Sequence, residues 1–367
     1  MHTSGHHTIK THIFLTGATG YIGGSVLTRL LSHSLSETFR ITILVRDASK
    51  ASQFRSMGIH VVVGSHSDLN VMQELAADSD FVFACADADD LEATKAILRG
   101  LKERFQKTGK APSLIHTVTS LTCRSSGVLA DGAQGMFATD TIYSDLNIDQ
   151  IRSLPITRLH RPVDLTIVDA GKEAKGKGYV HTYIVLPSTI YGIASGPLVD
   201  AGLQNAHSQQ IPTLVKLSLA RGRAGMIGQG KNLWPNVHIN DVTDLYILIF
   251  DHILPHEVNS HDHSQRELEP NPHFEHGEAG FYFGENGEHT LYEVSETIGK
   301  ILVNLGKAQD PTPTPFSEEE VRKYFPKGTT LGGNSRCRAD RSRAIGWKPK
   351  RTTKDMLASI TQEFRLV

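Results

Sequence analysis

The fold is decided by the stretch Phe14-Leu15-Thr16-Gly17-Ala18-Thr19-Gly20-Tyr21-Ile22-Gly23-Gly24, close to the N-terminus. It follows the apolar run Ile13 to Leu15 and precedes an apolar set at helical spacing between Val26 and Leu31. This pattern predicts a glycine-rich turn between a first strand and a first helix. In dinucleotide-binding folds, the phosphate loop lies in a turn of this kind.

The three spaced glycines of this turn have different expected roles. Gly17 permits the tight turn, Gly20 lets the backbone approach a pyrophosphate, and Gly23 lets the helix pack against the sheet. The spacing is G-x-x-G-x-x-G rather than G-x-G-x-x-G. The start of the helix offers free N–H groups to phosphates. We therefore expect the cofactor loop to contain Gly17, Thr19, Gly20, Tyr21, Ile22 and Gly23.

Composition limits the classes of function. The chain has 367 residues, 39% of them apolar, and a formal net charge of −1. With no block of like charge, we expect neither nucleic-acid nor membrane partners, but a small-molecule substrate, and we allow for a homodimer. Its three cysteines, Cys85, Cys123 and Cys337, are far apart. They predict no disulfide framework or zinc site, and with no apolar signal segment they favour the cytoplasm.

Strand-like and helix-like stretches alternate through the first half of the chain. This rhythm predicts an α/β fold, a doubly wound parallel Rossmann sheet that binds its ligand at the carboxyl ends of the strands. The predicted strands are Ile13–Thr16, Arg40–Val45, His60–Val63, Asp80–Cys85, Ser113–Val118 and Tyr179–Leu186. The predicted helices include Ser25–His33, Val71–Ala77 and Leu91–Phe105.

The second half loses this rhythm. Helices are predicted at Leu214–Arg221, Asp241–Ile253, Leu291–Leu305, Glu318–Phe325 and Thr353–Phe364, with a short strand at Phe281–Phe283. Residues 255–280 are polar and aperiodic, which is typical of an exposed loop. The histidines in this loop are His256, His261, His263, His273 and His276. Their spacing matches no ligand pattern, so we expect no metal site.

Four motifs occur in one order along the chain: Gly17–Gly23, Pro187–Gly192, Asn236–Val242 and Ala344–Pro349. Together they resemble the extended, epimerase-like branch of the short-chain dehydrogenase/reductase superfamily, most of all its fungal epimerase-like and NmrA-like members. The resemblance implies an NADP(H)- or NAD(H)-binding domain and a smaller C-terminal α/β substrate lobe. It also points to a role in secondary metabolism.

The resemblance implies a discontinuous architecture. Residues 1–190 and a return segment, 236–283, would form the nucleotide domain. Residues 191–235 and 284–367 would form the substrate lobe, with the substrate in the cleft between them. Pro187, Ser188 and Thr189 would border the nicotinamide. The candidate substrate contacts are Tyr191, Trp234 and Tyr143.

The residue at the end of the second strand discriminates between the two nicotinamide cofactors in this fold. An arginine neutralises a 2′-phosphate, whereas a carboxylate binds the ribose hydroxyls. Arg46 comes first after that strand and favours NADP over NAD; in the alternative, Asp47 turns in to bind the ribose. Asp68 is the candidate to face the adenine, and Cys85 is a further candidate cofactor contact.

The superfamily's usual proton donor is missing from this sequence. Its members carry a Tyr-x-x-x-Lys pair on the helix before the sixth strand, and no tyrosine here has a lysine four residues later. The pair's positions fall near His160 and Asp164, on a helix expected at about 161–175. The candidate catalytic groups are therefore Tyr143, on a loop that could cross the active site, His160, and Thr119 or Ser120 at the end of the fifth strand.

Three functions are compatible with these features. The leading prediction is an NADP(H)-dependent oxidoreductase acting on a carbonyl or enone of a small, fairly apolar metabolite. The second is a non-redox isomerase, cyclase or lyase on the same fold. The third is a catalytically silent NADP-binding regulatory protein. Loss of the Tyr-x-x-x-Lys pair favours the second and third, while the intact glycine loop favours nucleotide binding in all three.

Overall fold

The chain folds around a parallel β-sheet, in a computed structural model that describes residues 10–118, 129–172, 178–254, 271–326 and 328–366. The strands are β1 (Thr11–Thr16), β2 (Phe39–Val45), β3 (His60–Val63), β4 (Phe81–Ala84), β5 (Ser113–Thr117), β6 (Tyr143–Ser144), β7 (His181–Pro187), β8 (Thr189–Tyr191), β9 (Gly225–Met226), β10 (Leu233–His238), β11 (Phe281–Gly284), β12 (Glu288–Thr290), β13 (Thr314–Pro315) and β14 (Cys337–Arg338).

Helices connect and cover these strands. They are α1 (Tyr21–Leu31), α2 (Ala48–Ser56), α3 (Leu69–Ala77), α4 (Leu91–Thr108), α5 (Ile148–Arg152), α6 (Arg161–Lys172), α7 (Pro197–Asp200), α8 (Gln210–Arg221), α9 (Ile239–Ile253), α10 (Leu291–Asn304), α11 (Glu318–Tyr324), α12 (Asp340–Ala344) and α13 (Thr353–Glu363). No helix in the described ranges is long and apolar enough to cross a bilayer.

The central sheet has seven parallel strands in the order β11-β7-β5-β4-β1-β2-β3. The chain winds outward from β1 in both directions, which confirms the prediction of a doubly wound Rossmann-like sheet. The late strand β11 returns to the sheet and pairs with β7. The six strands predicted in the first half begin and end within two residues of the observed bounds.

The main core lies on both faces of the sheet. Phe14 and Phe83, on the central strands, are fully buried. Phe250, from α9, packs edge-on against Phe81 with ring centroids 4.9 Å apart and against Phe39 at 5.5 Å. Strands buried on both faces need continuous apolar runs, which is why the sequence pattern there was easy to recognise.

A second apolar cluster joins α8, α10 and α13. Beside it runs a small sheet in the order β12-β10-β8. Asn236 of β10 pairs with Thr189 of β8, while Trp234 of the same strand pairs with His289 of β12. Through this sheet, β10, the strand that contains Trp234, lies beside β8, the strand that follows β7.

Three details of the predicted elements need correction. Helix α1 begins at Tyr21, and Ser32 ends it as the C-cap, so His33 lies outside it. Helix α2 was not predicted, because it buries only Ala51 and Phe54 and has little amphipathic pattern. The predicted loop 255–280 contains a 3-10 turn at Gly277–Ala279. Of that loop, residues 255–270, with His256, His261 and His263, lie outside the described residues.

Candidate active site

A cavity of about 530 Å³ opens along the carboxyl ends of the central strands. It is lined by the residues that follow β1 through β5 and by the end of β7. Residues 44–46 and 64–67 line what we call the β2–β3 end. We call the lining formed by residues from 205–210, 234–235 and 331–337 the distal end. Its size and position are those of a ligand site in a doubly wound fold.

The glycine loop forms the middle of this cavity. Gly17 has φ +76°, and a Cβ there would lie 2.7 Å from the Cys85 carbonyl oxygen. The Gly20 N–H donates to the Gly17 carbonyl at 2.8 Å, and a Cβ on Gly23 would lie 2.4 Å from that same carbonyl oxygen. Thr19, Tyr21 and Ile22 line the cavity with Gly17 and Gly20, whereas Gly23 supports the turn from behind. The loop thus brings the start of α1 to the cavity, with no acidic residue in its first turn.

Arg46 directly follows β2 and lines the β2–β3 end. The next residue, Asp47, is the N-cap of α2. Its carboxylate accepts hydrogen bonds from the Ser49 hydroxyl at 2.7 Å and the Ser49 N–H at 2.8 Å, and these bonds lower the pKa of Asp47. Asp47 is not among the described residues that line the cavity. Its carboxylate is therefore occupied by helix capping.

The turn after β3 contributes Ser65, His66 and Ser67 to the cavity. Asp68, the candidate adenine contact, lies just beyond them as the N-cap residue of α3. Its carboxylate accepts the Ser65 N–H at 2.7 Å, and Asp68 does not line the cavity in the described chain. Asp68 holds the turn that presents His66, a residue that the sequence analysis did not single out.

Cys85 lines the cavity directly after β4. The Thr117 hydroxyl donates to its sulfur at 3.3 Å, and the Tyr246 hydroxyl donates to the Thr117 oxygen at 2.7 Å. Burial raises the pKa of the Cys85 thiol to about 12. The thiol therefore stays protonated and offers a neutral wall rather than a nucleophile.

The segment after β7 also reaches the cavity. Pro187, Ser188 and Thr189 line the cavity. Thr189 is buried, and its hydroxyl oxygen has no hydrogen-bond partner in the described protein. Tyr191, a candidate substrate contact, is buried in the second apolar cluster and donates to the Thr352 carbonyl at 2.9 Å. It is absent from the described lining.

Trp234 lines the distal end together with Pro235, Leu331, Ser335 and Cys337. The indole N–H of Trp234 donates to the Gly333 carbonyl, which fixes the plane of the ring. The described lining of the distal end carries no lysine, arginine or carboxylate. The distal end is thus an uncharged, partly aromatic surface.

A polar loop completes the distal end and was missed by sequence reasoning. The Asn205 N–H donates to the Thr19 carbonyl at 2.9 Å, so this loop packs against the glycine loop. His207 and Ser208 line the cavity, and neither the His207 Nδ1 nor the Ser208 hydroxyl has a partner in the described ranges. Burial, aided by the nearby Lys216, lowers the pKa of His207 below its ordinary value. The imidazole is therefore neutral at physiological pH, and its unpaired Nδ1 is buried.

Tyr143, proposed from sequence as a loop tyrosine crossing the active site, lies instead in strand β6. It pairs in parallel with Cys337 of β14, and its N–H donates to the Arg336 carbonyl at 3.0 Å. Its ring packs partly buried against the main core. The paired Cys337 lines the cavity, but Tyr143 is not among the described lining residues.

His160 directly precedes α6, and Asp164 lies in the first turn of this helix. Neither residue lines the cavity in the described chain. His160, with φ +67°, donates from Nδ1 to the Asp89 carboxylate at 2.7 Å. Asp164 is buried beside Arg161, its carboxylate accepts no hydrogen bond from the described residues, and burial raises the pKa of this carboxyl group. His116 is equally buried, and burial lowers its pKa to about 3. These groups form a polar cluster within the scaffold.

The candidates Thr119 and Ser120 lie outside the described residues; Val118, just before them, lines the cavity. Across residues 10–118, 129–172, 178–254, 271–326 and 328–366, no group of three or more His, Cys, Asp or Glu side chains could hold a metal ion. His276, from the histidine-rich segment, packs against His181 with ring centroids 4.4 Å apart.

Solved structures share this fold over almost the whole chain. The dTDP-glucose 4,6-dehydratase from Bacillus anthracis, in complex with NAD, has a TM-score of 0.61 at 16% identity, covering 97% of each chain. The UDP-glucose 4-epimerase from Thermotoga maritima, with UDP-glucose, has a TM-score of 0.59 at 14% identity, covering 97% of this chain and 99% of that one. Both confirm the architecture.

Sequence comparison adds a closer relationship. The profile of an NAD(P)H-binding family matches residues 17–109, which include the glycine loop and Arg46. The oxidase ucsJ from an Acremonium species is 30% identical over 344 residues, 92% of each chain. The chain belongs to the extended short-chain dehydrogenase/reductase superfamily. No tyrosine of this chain has a lysine four residues later, so the Tyr-x-x-x-Lys pair usual in this superfamily is not found in the sequence.

Proposed function

We propose that this protein is an NADP(H)-dependent oxidoreductase that acts on a carbonyl or enone, or the corresponding alcohol, of a small, fairly apolar metabolite. The observation that carries the proposal is a cavity with a phosphate-binding glycine loop and Arg46 at its β2–β3 end and an uncharged, aromatic surface at its distal end. We place the substrate between the nucleotide domain (1–190 with 236–283) and the smaller lobe (191–235 and 284–367), in a cytoplasmic protein. A fungal relative that is named an oxidase supports a redox reaction.

Arg46 supports NADP over NAD. It is the only lysine or arginine among the described residues that line the cavity, and it directly follows β2. Asp47, the alternative ribose partner, caps α2 through two hydrogen bonds to Ser49. A guanidinium can bind a 2′-phosphate through paired hydrogen bonds, whereas NAD offers it no such group.

The distal end supports an apolar substrate rather than a sugar nucleotide. A substrate diphosphate brings two negative charges, which proteins usually pair with arginine or lysine. The described distal lining offers Trp234, Pro235 and Leu331 with the uncharged Ser335 and Cys337. These residues suit a neutral ring or chain that buries apolar surface.

When bound, the cofactor supplies or accepts a hydride, and the protein must supply or accept a proton. We assign the acceptance of this proton to His207, because the residue lines the cavity and its imidazole is neutral. Ser208 and Thr189 also line the cavity. In the oxidation direction, His207 would take the alcohol proton as a general base. Thr119 and Ser120 remain candidates for substrate positioning.

The test is consumption of NADPH against a panel of ketones, enones and quinones, followed through the absorbance of the reduced nicotinamide. We expect at least one aromatic member of the panel to be reduced mole for mole with NADPH oxidised. The Gly20→Val variant should show no activity with the same member. NADPH binding without oxidation by any member, in a chain with no enzymatic activity on the panel, would favour the silent regulatory protein.

A non-redox isomerase, cyclase or lyase is the second candidate function. Two observations favour it. No tyrosine has a lysine four residues later. His160 is hydrogen-bonded to Asp89 and does not line the described cavity. For this function, a substrate would be converted with no change in NADPH, and a bound nucleotide would serve only to shape the cavity.

A further inference from the structure

His66 lies beside Arg46 at the β2–β3 end of the cavity. The last residues of the two strands, Val45 and Val63, are paired in register, and the Gly64 N–H donates to the Val45 carbonyl at 3.0 Å. This pairing fixes the two strand ends side by side. Arg46 follows one of them and His66 the other, and both side chains line the same cavity.

Two carboxylates face the same region from the segment after β4. Asp87 and Asp90 both line the cavity. The Asp87 carboxylate accepts the Asp89 N–H at 3.0 Å, and the Asp90 carboxylate accepts the Ala93 N–H at 2.9 Å as it caps α4. Both act on the charge of His66, as does Arg46. With His66 neutral, one guanidinium faces two carboxylates, so this end of the cavity carries an excess of negative charge.

A 2′-phosphate would bring up to two further negative charges to this end. Arg46 alone cannot balance them, because Asp87 and Asp90 already exceed its charge. We propose that His66 is the second cationic partner of the 2′-phosphate and that it takes up a proton when the phosphate binds. The inference rests on the NADP preference put forward above, and it makes cofactor selectivity depend on pH.

The sign of the pH effect follows from the neighbours. Burial, and to a smaller extent Arg46, lowers the pKa of His66, while Asp90 and Asp87 raise it less, so the free imidazole is neutral at pH 7. A phosphate dianion in contact would raise that pKa. Between the lowered and the raised pKa, binding takes up a proton, so NADP affinity increases as pH falls through this window. NAD, which lacks the 2′-phosphate, has no such dependence.

The experiment is isothermal titration calorimetry with NADP⁺, NAD⁺ and 2′,5′-ADP at pH 6.5, in two buffers of different ionisation enthalpy. The buffer dependence of the heat gives the number of protons taken up. We expect roughly half to one proton for NADP⁺ and for 2′,5′-ADP, and close to none for NAD⁺. From pH 8 to pH 6.5, the affinity for NADP⁺ should rise by roughly three- to tenfold, below the ceiling of about 30-fold that uptake of one full proton over this pH interval would give.

Three variants make the result specific. His66→Gln should abolish the proton uptake and flatten the pH dependence, and His66→Lys should bind NADP⁺ tightly at every pH. His60→Gln changes an exposed histidine at the opposite end of β3 and should behave as wild type. Preferential NADP⁺ binding without proton uptake, or uptake that persists in His66→Gln, would overturn the role of His66 alone. Tighter binding of NAD⁺ than of NADP⁺ by wild type would instead overturn the proposed cofactor preference.

Discussion

The β2–β3 end and the distal end of the cavity are built in different ways. The first carries Arg46 and His66 on the turns that follow β2 and β3, with Asp87 and Asp90 nearby on the segment after β4. The second carries no lysine, arginine or carboxylate in the described chain, and its residues come from three distant segments around Trp234. The residues of the first end are positioned by the ends of parallel strands, whereas those of the second are brought together by packing between segments that are distant in sequence.

The two ends therefore have different expected roles: the β2–β3 end binds the cofactor, and the distal end contacts the reacting substrate. The β2–β3 end and the glycine loop are equipped to hold a phosphorylated nucleotide whatever the reaction. The proposed apolar substrate and its proton transfer depend on the distal end, with its uncharged surface and the neutral His207. Variants at the two ends should therefore fail in different ways.

The largest effect is expected in the glycine loop between the two ends. Gly20→Val places a branched Cβ at the start of α1, where it would occupy the space of a pyrophosphate. Dinucleotide affinity should fall by more than about 1,000-fold, about 4 kcal/mol. Calorimetry measures the affinity and circular dichroism checks the fold. Gly132→Val, at a glycine with open space around it, is the matched control. Unchanged affinity in Gly20→Val would remove the basis of the nucleotide site.

At the distal end, His207→Gln should lower kcat by about 100-fold, the usual contribution of a general acid or base. The lowered pKa of His207 means that wild-type oxidation is constant above neutrality and slows only as pH falls below about 6.5. Tyr143→Phe and His160→Gln, whose side chains do not line the described cavity, should keep most activity. A large loss of kcat in Tyr143→Phe or His160→Gln, with His207→Gln unaffected, would identify that residue, rather than His207, as the proton-transfer group.

At the β2–β3 end, Arg46→Asp should weaken NADPH by roughly 30-fold, because a charged hydrogen bond is replaced by repulsion. NADH binding should change by less than about twofold, since NADH has no 2′-phosphate. Fluorescence titration of both nucleotides measures the two affinities. Arg40→Asp, at the opposite end of β2, is the control for a charge reversal on the same strand. Equal loss for NADH and NADPH would show that Arg46 does not discriminate between them.

The smallest effect is expected from Trp234→Phe. It removes one indole hydrogen bond to the Gly333 carbonyl, which still accepts from the Asn232 side chain at 2.9 Å. The free energy of unfolding should fall by about 1 kcal/mol, with NADPH affinity unchanged. Trp347→Phe, which loses a comparable bond to the Asp241 carbonyl, should cost similar stability without altering substrate KM. The two unfolding curves and the substrate KM values test whether Trp234 shapes the distal end.

The parts of the structure that the sequence predicted are governed by local signals. The glycine spacing fixed the turn after β1, and alternation of apolar runs located the sheet strands, with His60–Val63 at the predicted bounds. The capping role of Asp47 was also visible in principle, because an aspartate two residues before Ser49 is a helix-start signal. The sequence analysis considers Asp47 only as the alternative ribose partner to Arg46.

The distal end could not be predicted in this way. Strand β6 pairs with β14 through two-residue segments almost 200 positions apart, and such short strands carry no periodic pattern. Tyr143 therefore read as a loop residue. His207 lies in an aperiodic polar loop, and only its contact through Asn205 with Thr19 reveals that this loop reaches the cofactor cavity.

The most direct test of the central claim, a redox reaction at the distal end with an NADP(H) cofactor, is transfer of deuterium from C4-deuterated NADPH. The substrate would be the ketone or enone of the panel that consumes NADPH fastest, because its product keeps the transferred hydrogen on carbon, and mass spectrometry of the product gives the label. We predict one deuterium on the reduced carbon when the transferred face is labelled, none with the opposite face, and no turnover in Gly20→Val. A product that carries no deuterium from either labelled cofactor would contradict a hydride transfer.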